Sequence, residues 1–246
     1  TQPHLPSLPN PNFAGKTGNG DWADMLAEMD HNVGQILAAI DKAGVKNDTI
    51  VIFTSDNGSE FTRPWDGWSG PWRGQYFTAL EGGIRVPFLI RWPGKITPRR
   101  VSNEIVHGVD MFATLARFAG AKVPDDRPID SIDQSEFILG KTEKSAREGF
   151  PIMVADRLTA VKWRNWKMHF YRQDTMIDPP VHNPVPMVYN LLIDPREEKA
   201  GNYLENAWVM YPVSKIMHDF QASLKQYPPI PMGAPDPYLP AIHKSN

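Results

Sequence analysis

At 246 residues, with 41% hydrophobic and 22% charged residues, the chain has room for one large domain or two smaller ones and the composition of an ordinary globular protein. A net charge of −2 gives no electrostatic ground for nucleic acid or an anionic membrane as a partner, and no apolar run approaches the ~20 residues of a membrane span. With no cysteine there is no disulfide, no thiolate metal site and no cysteine nucleophile.

Residues 1–20 are rich in Pro, Asn and Gly, without helix or strand period, and read as a loop. Their one chemical group is His4, in Pro3-His4-Leu5-Pro6, and a lone loop histidine is ordinarily a solvated one. Residues 21–44 form the clearest helix. Trp22, Met25, Leu26, Met29, Val33, Ile36, Leu37 and Ile40 recur at three- and four-residue steps and make one apolar face. Asp21 is the expected N-cap and Gly44 the expected C′ residue. Asp24, Glu28 and Asp41 lie off the stripe and are expected in solvent.

The run Ile50-Val51-Ile52-Phe53-Thr54-Ser55-Asp56-Asn57-Gly58 reads as a buried strand with a polar tip. Asp56 and Asn57 offer two hard oxygen donors there, suited to Ca²⁺ or Mg²⁺, although Asn57-Gly58 also reads as a plain turn. Residues 59–81 make a long loop in which Trp65, Trp68 and Trp72 gather with Arg63 and Arg73. Such a loop is either a binding element or one stapled by its own tryptophans.

Gly82 and Gly83, in Glu81-Gly82-Gly83-Ile84-Arg85-Val86-Pro87, allow a sharp turn or a close backbone approach. Val86–Ile90 reads as a second buried strand and neighbour of the first, with the 21–43 helix packed on the pair. A second helix runs from Asp110 to Phe118, with Met111, Leu115 and Phe118 on one face and Gly120 closing it. Residues 123–150 read as an extended surface connection.

The texture then changes. Short strands follow at 152–154, 159–163, 166–171 and 187–192, with a hairpin turn at Arg164-Asn165 and a last helix over 212–227. The fold expected is α/β. Residues 1–150 form part of an α/β domain, and residues 151–246 a small antiparallel sheet with one helix and a Pro-rich tail, docked on it.

Seven segments, taken in order, resemble the sulfatase family of the alkaline-phosphatase-like superfamily. They are Pro3-His4-Leu5-Pro6, Asp24–Asp30, Phe53–Gly58, Glu81–Pro87, Trp92-Pro93-Gly94, Asp110–Leu115 and Tyr189–Pro195. The resemblance implies an α/β sandwich followed by a small antiparallel subdomain, and hydrolysis of sulfate esters, small or on sugars. It implies a divalent cation, Ca²⁺ with Mg²⁺ as the alternative, and a formylglycine made from a C/S-x-P-x-R motif. It assigns Asp56 and Asn57 to the metal and His4 to the sulfate or the leaving-group oxygen.

Arg73 stands nearest the position of the lysine that many of the family carry before the Glu-Gly-Gly turn. It would carry charge but not a transferable proton. With Trp65, Trp68 and Trp72 it makes the expected substrate-binding set. No serine is assigned to the S-x-P-x-R pattern, and the remaining metal aspartates and the Lys-x-His segment are not found. The chain is therefore expected to correspond to the C-terminal part of such an enzyme and to be inactive by itself. Self-association is one way its incomplete domain could be covered. The family resemblance points to the periplasm or secretion.

A phosphatase or phosphodiesterase of the same superfamily is the competing enzyme class. Asn57, where those enzymes place an imidazole for a softer ion, speaks against it. A non-catalytic binding module is the third reading.

Overall fold

The computed structural model describes residues 3–4, 6–60, 67–231 and 233–235. The first helix, α1, spans Asp21–Lys42. Gly20 rather than Asp21 is its N-cap, at φ 88° and without a side-chain cap, while Asp21 and Asp24 sit in the first turn, where the helix dipole favours negative charge. Gly44 closes the helix as expected, at φ +73° with its N–H on the Asp41 carbonyl.

Asp24 is not solvated. It is buried and accepts the N–H groups of Gly15 (2.6 Å) and Thr17 (2.9 Å) and the Thr17 hydroxyl (2.7 Å). It thereby pins the preceding loop across α1, and these bonds hold its carboxyl below the usual range.

Strand β1 (Val51–Thr54) pairs antiparallel with β2 (Phe88–Arg91) in the register Val51↔Arg91 to Thr54↔Phe88. The two runs are neighbours as expected, but they are not buried: β1 is half-covered and Leu89 of β2 is 59% exposed. A two-stranded ribbon has two faces, and among the described residues neither is sealed. The α1 stripe is likewise incompletely covered. Met25 alone of its apolar residues is buried, and Ile36 is 58% exposed. Polar links tie the unit together instead, namely Arg91 to Asp41 at 3.1 Å and the Trp92 indole N–H to the Asn47 carbonyl at 3.0 Å.

Between the strands lies α2 (Glu81–Ile84), a single buried turn. Helix α3 spans Asp110–Phe118, as the periodicity predicts, with Gly120 in the left-handed region after it. Its buried side is Asp110, Ala113 and Thr114, while Leu115 lies outward.

The stretch expected as a surface connection contains instead a short buried helix, α4 (Ser135–Ile138). Its polar neighbours converge on Asp110, which accepts two bonds from Arg147 Nε (2.9 and 3.1 Å), one from Arg147 Nη2 (2.6 Å), one from Gln134 (3.3 Å), and the N–H groups of His107 and Ile132 (both 3.0 Å).

The last part is a sheet in the order β3 (Gly149–Val154), β4 (Arg157–Trp163), β5 (Trp166–Arg172), β6 (Val181–Asn190), all antiparallel. The β4–β5 turn falls at Arg164-Asn165 as predicted, with Arg164 at φ 51°. Helix α5 (Met210–Gln226) covers one face. Side chains alternate across a strand, so Val161, Met168 and Val188 face α5 and form a core with Val209 and Val213. Their alternates Ala160, Lys162, Lys167, His169 and Tyr189 form the opposite face. That face is turned not to water but to α2.

Candidate active site and the charge network behind it

The tip after β1 is built from short local bonds. The Asn57 N–H donates to Asp56 Oδ1 (3.0 Å), the Ser55 hydroxyl lies 3.4 Å from the same oxygen, and Asn57 Nδ2 donates to the Gly58 carbonyl (2.8 Å). Asp56 is exposed and Asn57 half-buried. Turning the Asn57 amide nitrogen inward leaves its carbonyl oxygen for another partner.

Behind the tip the backbone packs against α2. The Gly58 N–H donates to the Gly83 carbonyl at 3.0 Å, and a Cβ on Gly58 would come within 1.8 Å of the Gly82 carbonyl oxygen. Gly82 in turn donates to the Arg73 carbonyl (2.7 Å), and a Cβ there would meet two carbonyl oxygens at 2.6 Å. The Gly-Gly pair is therefore a close backbone approach.

α2 is locked from the far side. Glu81 is fully buried, with Lys162 Nζ at 2.6 Å and Lys167 Nζ at 3.2 Å. Lys167, also fully buried, lies 3.0 Å from Glu197 Oε1, which accepts His169 Nε2–H at 2.7 Å. Glu197 Oε2 accepts the Glu81 N–H at 2.6 Å. Two buried carboxylates thus meet one fully buried ammonium group and a second that is largely covered, the condition under which such charges persist inside a protein. Glu197 adopts φ 55°, uncommon for a side-chain-bearing residue, which lets its carboxylate face Lys167 while its carbonyl accepts Arg73 Nη2 (2.6 Å).

Burial pushes the Glu197 carboxyl up, but Lys167 and the His169 hydrogen bond outweigh it and bring it down to about 2. Burial likewise pushes Glu81 up and is outweighed by Lys167 and Lys162, so that it lies below the ordinary 4.5. Burial holds His169 below the ordinary 6.5 against the pull of Glu197. All three have folded values below their unfolded ones, so each contributes stability that is complete above the unfolded value and is lost as pH falls through the folded one. The urea midpoint is therefore expected to be flat above neutrality and to fall first below 6.5, as the unfolded imidazole takes up its proton. It should fall more steeply from 4.5 toward 2, and Glu197→Gln should flatten that lower step. A midpoint unchanged down to the carboxylate range in the parent chain would contradict this.

The residues singled out from sequence are placed as follows. His4 is exposed, with Nε2 3.7 Å from Glu60 Oε1. Arg73 donates to Asp174 Oδ1 (3.0 Å) and to the carbonyls of Arg196 (3.0 Å) and Glu197 (2.6 Å), so its guanidinium is taken up in joining the two parts of the chain. A cavity of about 180 Å³ lies beside it, lined in part by His169, Arg172, Tyr189 and Glu197. The Trp72 ring is covered by the Arg85 guanidinium at 4.2 Å, while Trp68 is 82% exposed. Trp65 lies outside the described residues.

The S-x-P-x-R pattern is in fact present once, at Ser69-Gly70-Pro71-Trp72-Arg73. The Ser69 hydroxyl donates to the Gly82 carbonyl (3.0 Å) and shares a bond with the Ser59 hydroxyl (2.9 Å), the work of a staple holding this loop on α2.

Among the described residues no group of three or more His, Asp or Glu converges as a metal cage. Asp56 and Asn57 supply two oxygens of the kind a hard cation takes, which fits Ca²⁺ or Mg²⁺ in chemistry and falls short of the roughly six donors such an ion needs.

The Sulfatase family profile matches residues 19–121, a stretch that includes both the tip and α2. Rat steryl-sulfatase is 35% identical over 224 residues, covering 79% of this chain and 38% of its own. Human arylsulfatase A is 37% identical over 213 residues, covering 79% and 41% respectively. Among solved structures, the PsFucS1 sulfatase from Pseudoalteromonas sp. superposes with a TM-score of 0.86 at 31% identity, covering 92% of this chain and 48% of that one. The chain thus spans about two fifths of the curated relatives and about half of the structural one.

Proposed function

This chain belongs to the sulfatase family, and we propose that it serves the hydrolysis of sulfate esters, with the Asp56–Asn57 tip as its share of the metal site. The observation that carries this reading is the seating of the tip. An exposed carboxylate and an amide with a spare oxygen stand on backbone clamped to a buried turn, inside the family-matched stretch.

A divalent cation there supplies polarisation of the sulfate oxygens when bound. The chain's own residues do the rest. Asp56 and Asn57 hold the ion. His4 contacts the sulfate or holds a proton for the leaving oxygen. Trp68 offers an open face on which an aryl or sugar ring can stack. Trp72, already covered by Arg85, and Arg73, already bonded on both sides, shape the loop beneath it. Trp65 is proposed with Trp68 on sequence grounds alone.

Calorimetry with Ca²⁺ tests the metal assignment. The chain should bind weakly, with a dissociation constant on the order of 1 mM or above, since two of about six oxygens are at hand. Asp56→Ala should abolish the residual heat. Tight stoichiometric binding, or binding untouched by that substitution, would sink the assignment.

A further inference from the structure

The buried network and the tip are joined through one short turn. Lys167 bridges Glu81 Oε1 and Glu197 Oε1, and Glu197 Oε2 takes the Glu81 N–H, so a closed ring fixes the first residue of α2. The next two residues of α2 then carry the tip through the Gly58–Gly83 hydrogen bond and the Gly58–Gly82 contact, with Ser69 bonded to the same Gly82 carbonyl. Among the described residues, the hydrogen bonds of the Asp56 carboxylate are confined to Ser55 and Asn57. The pair is therefore held between the end of the β1–β2 ladder at Thr54↔Phe88 and the seat that α2 gives it from below.

We propose that Lys167 is a positioning residue for the Asp56–Asn57 pair. It acts from the opposite side of α2, with no contact to the pair itself. The proposal rests on the reading that Asp56 and Asn57 hold the metal. Its physical basis is that an ammonium between two buried carboxylates tolerates only one geometry, and that geometry is passed on by backbone contact with no flexible side chain between. Losing Lys167 leaves Glu81 with Lys162 and Glu197 with His169 but removes the one charge between the two buried carboxylates, and α2 must move or hydrate to relieve their repulsion. Changes one layer behind metal ligands commonly cost about 10–100-fold in affinity.

The test uses the ¹⁵N-labelled chain. Lys167→Met is compared with Met168→Ala, which empties an equally buried position on the opposite face of the sheet, against α5. Amide shifts of Asn57, Gly58 and Gly83 are recorded, and Ca²⁺ is titrated while the Asp56 and Asn57 amides are followed. Lys167→Met should displace the Asn57 and Gly58 amides and weaken the Ca²⁺ response by about 10-fold or more, and Met168→Ala should do neither.

Amides that stay in place in Lys167→Met, or that shift equally in Met168→Ala, would overturn the positioning role. If Lys167→Met does not fold, Glu197→Gln serves. It keeps an oxygen for the Glu81 N–H, removes the charge beside Lys167, and should move the same amides. Ca²⁺ that leaves Asp56 and Asn57 unperturbed in the parent chain overturns the metal reading alone, because the amide comparison requires no ion.

Discussion

An aryl sulfate incubated with this chain is expected to stay intact, with Ca²⁺ or without it. Sulfate-ester hydrolysis of the kind proposed runs through a covalent nucleophile, and the chain has no cysteine from which to make one. Its one S-x-P-x-R serine has its hydroxyl engaged with Ser59 and the Gly82 carbonyl. On the proposed reading, Asp56, Asn57 and His4 would still hold an ion and an anion. Binding without an attacking group lowers the ground state and leaves the chemical step where it was.

The assay is release of the phenol from a chromogenic sulfate by the purified chain, with Asp56→Ala and Ser69→Ala beside it. Turnover that disappears in Asp56→Ala would refute the expectation. Turnover that also disappears in Ser69→Ala would name the nucleophile.

Asp110→Ala is expected to lower the unfolding free energy by about 3–5 kcal/mol, the usual cost of stripping one partner from a buried ion pair. Burial pushes the Asp110 carboxyl up, but the Arg147 hydrogen bonds and the Ile132 and His107 N–H groups outweigh it and hold the carboxyl below its ordinary range. Removing it leaves the half-buried Arg147 guanidinium without its counter-charge, with only the Asp130 carbonyl still accepting from it, and the Gln134 amide nitrogen without its acceptor, and it loosens the segment around α4 that they tie down. Lys122→Ala, which breaks the exposed pair with Asp125, should change stability by less than about 0.5 kcal/mol. Urea unfolding of the three proteins is the measurement. A loss below about 1 kcal/mol for Asp110→Ala would show that the pair contributes little.

The polar tip was legible because its signal is local. An apolar β-branched run ending in Asp-Asn-Gly needs no distant residue to be recognised. The same holds for the boundaries of α1 and α3, where Gly44 and Gly120 mark the ends, and for the Arg164-Asn165 turn. The nucleophile and the substrate class entered only through the resemblance. What the sequence left out about Trp72 and Arg73 is their partners. Arg85 covers one, while Asp174 and the 196–197 backbone hold the other.

What the amino-acid sequence determined by itself is therefore helices α1, α3 and α5, the strands of both antiparallel sheets, and the position of Asp56 and Asn57 at a strand tip, while α2 and α4 are elements it did not announce. What only the tertiary structure decided is which charges lie inside. Lys167 alternates with apolar neighbours as a solvated strand residue would, and Glu197 stands in a charged turn, yet both are fully buried. Asp24 and Asp110 likewise look like ordinary first-turn acids. The reason is separation. The bonds that make Lys167 and Glu197 internal reach Glu81 across 86 and 116 residues, and a partner at that distance leaves no period in the local sequence. Charge favours water unless a counter-charge is already in place, and only the folded chain brings one there.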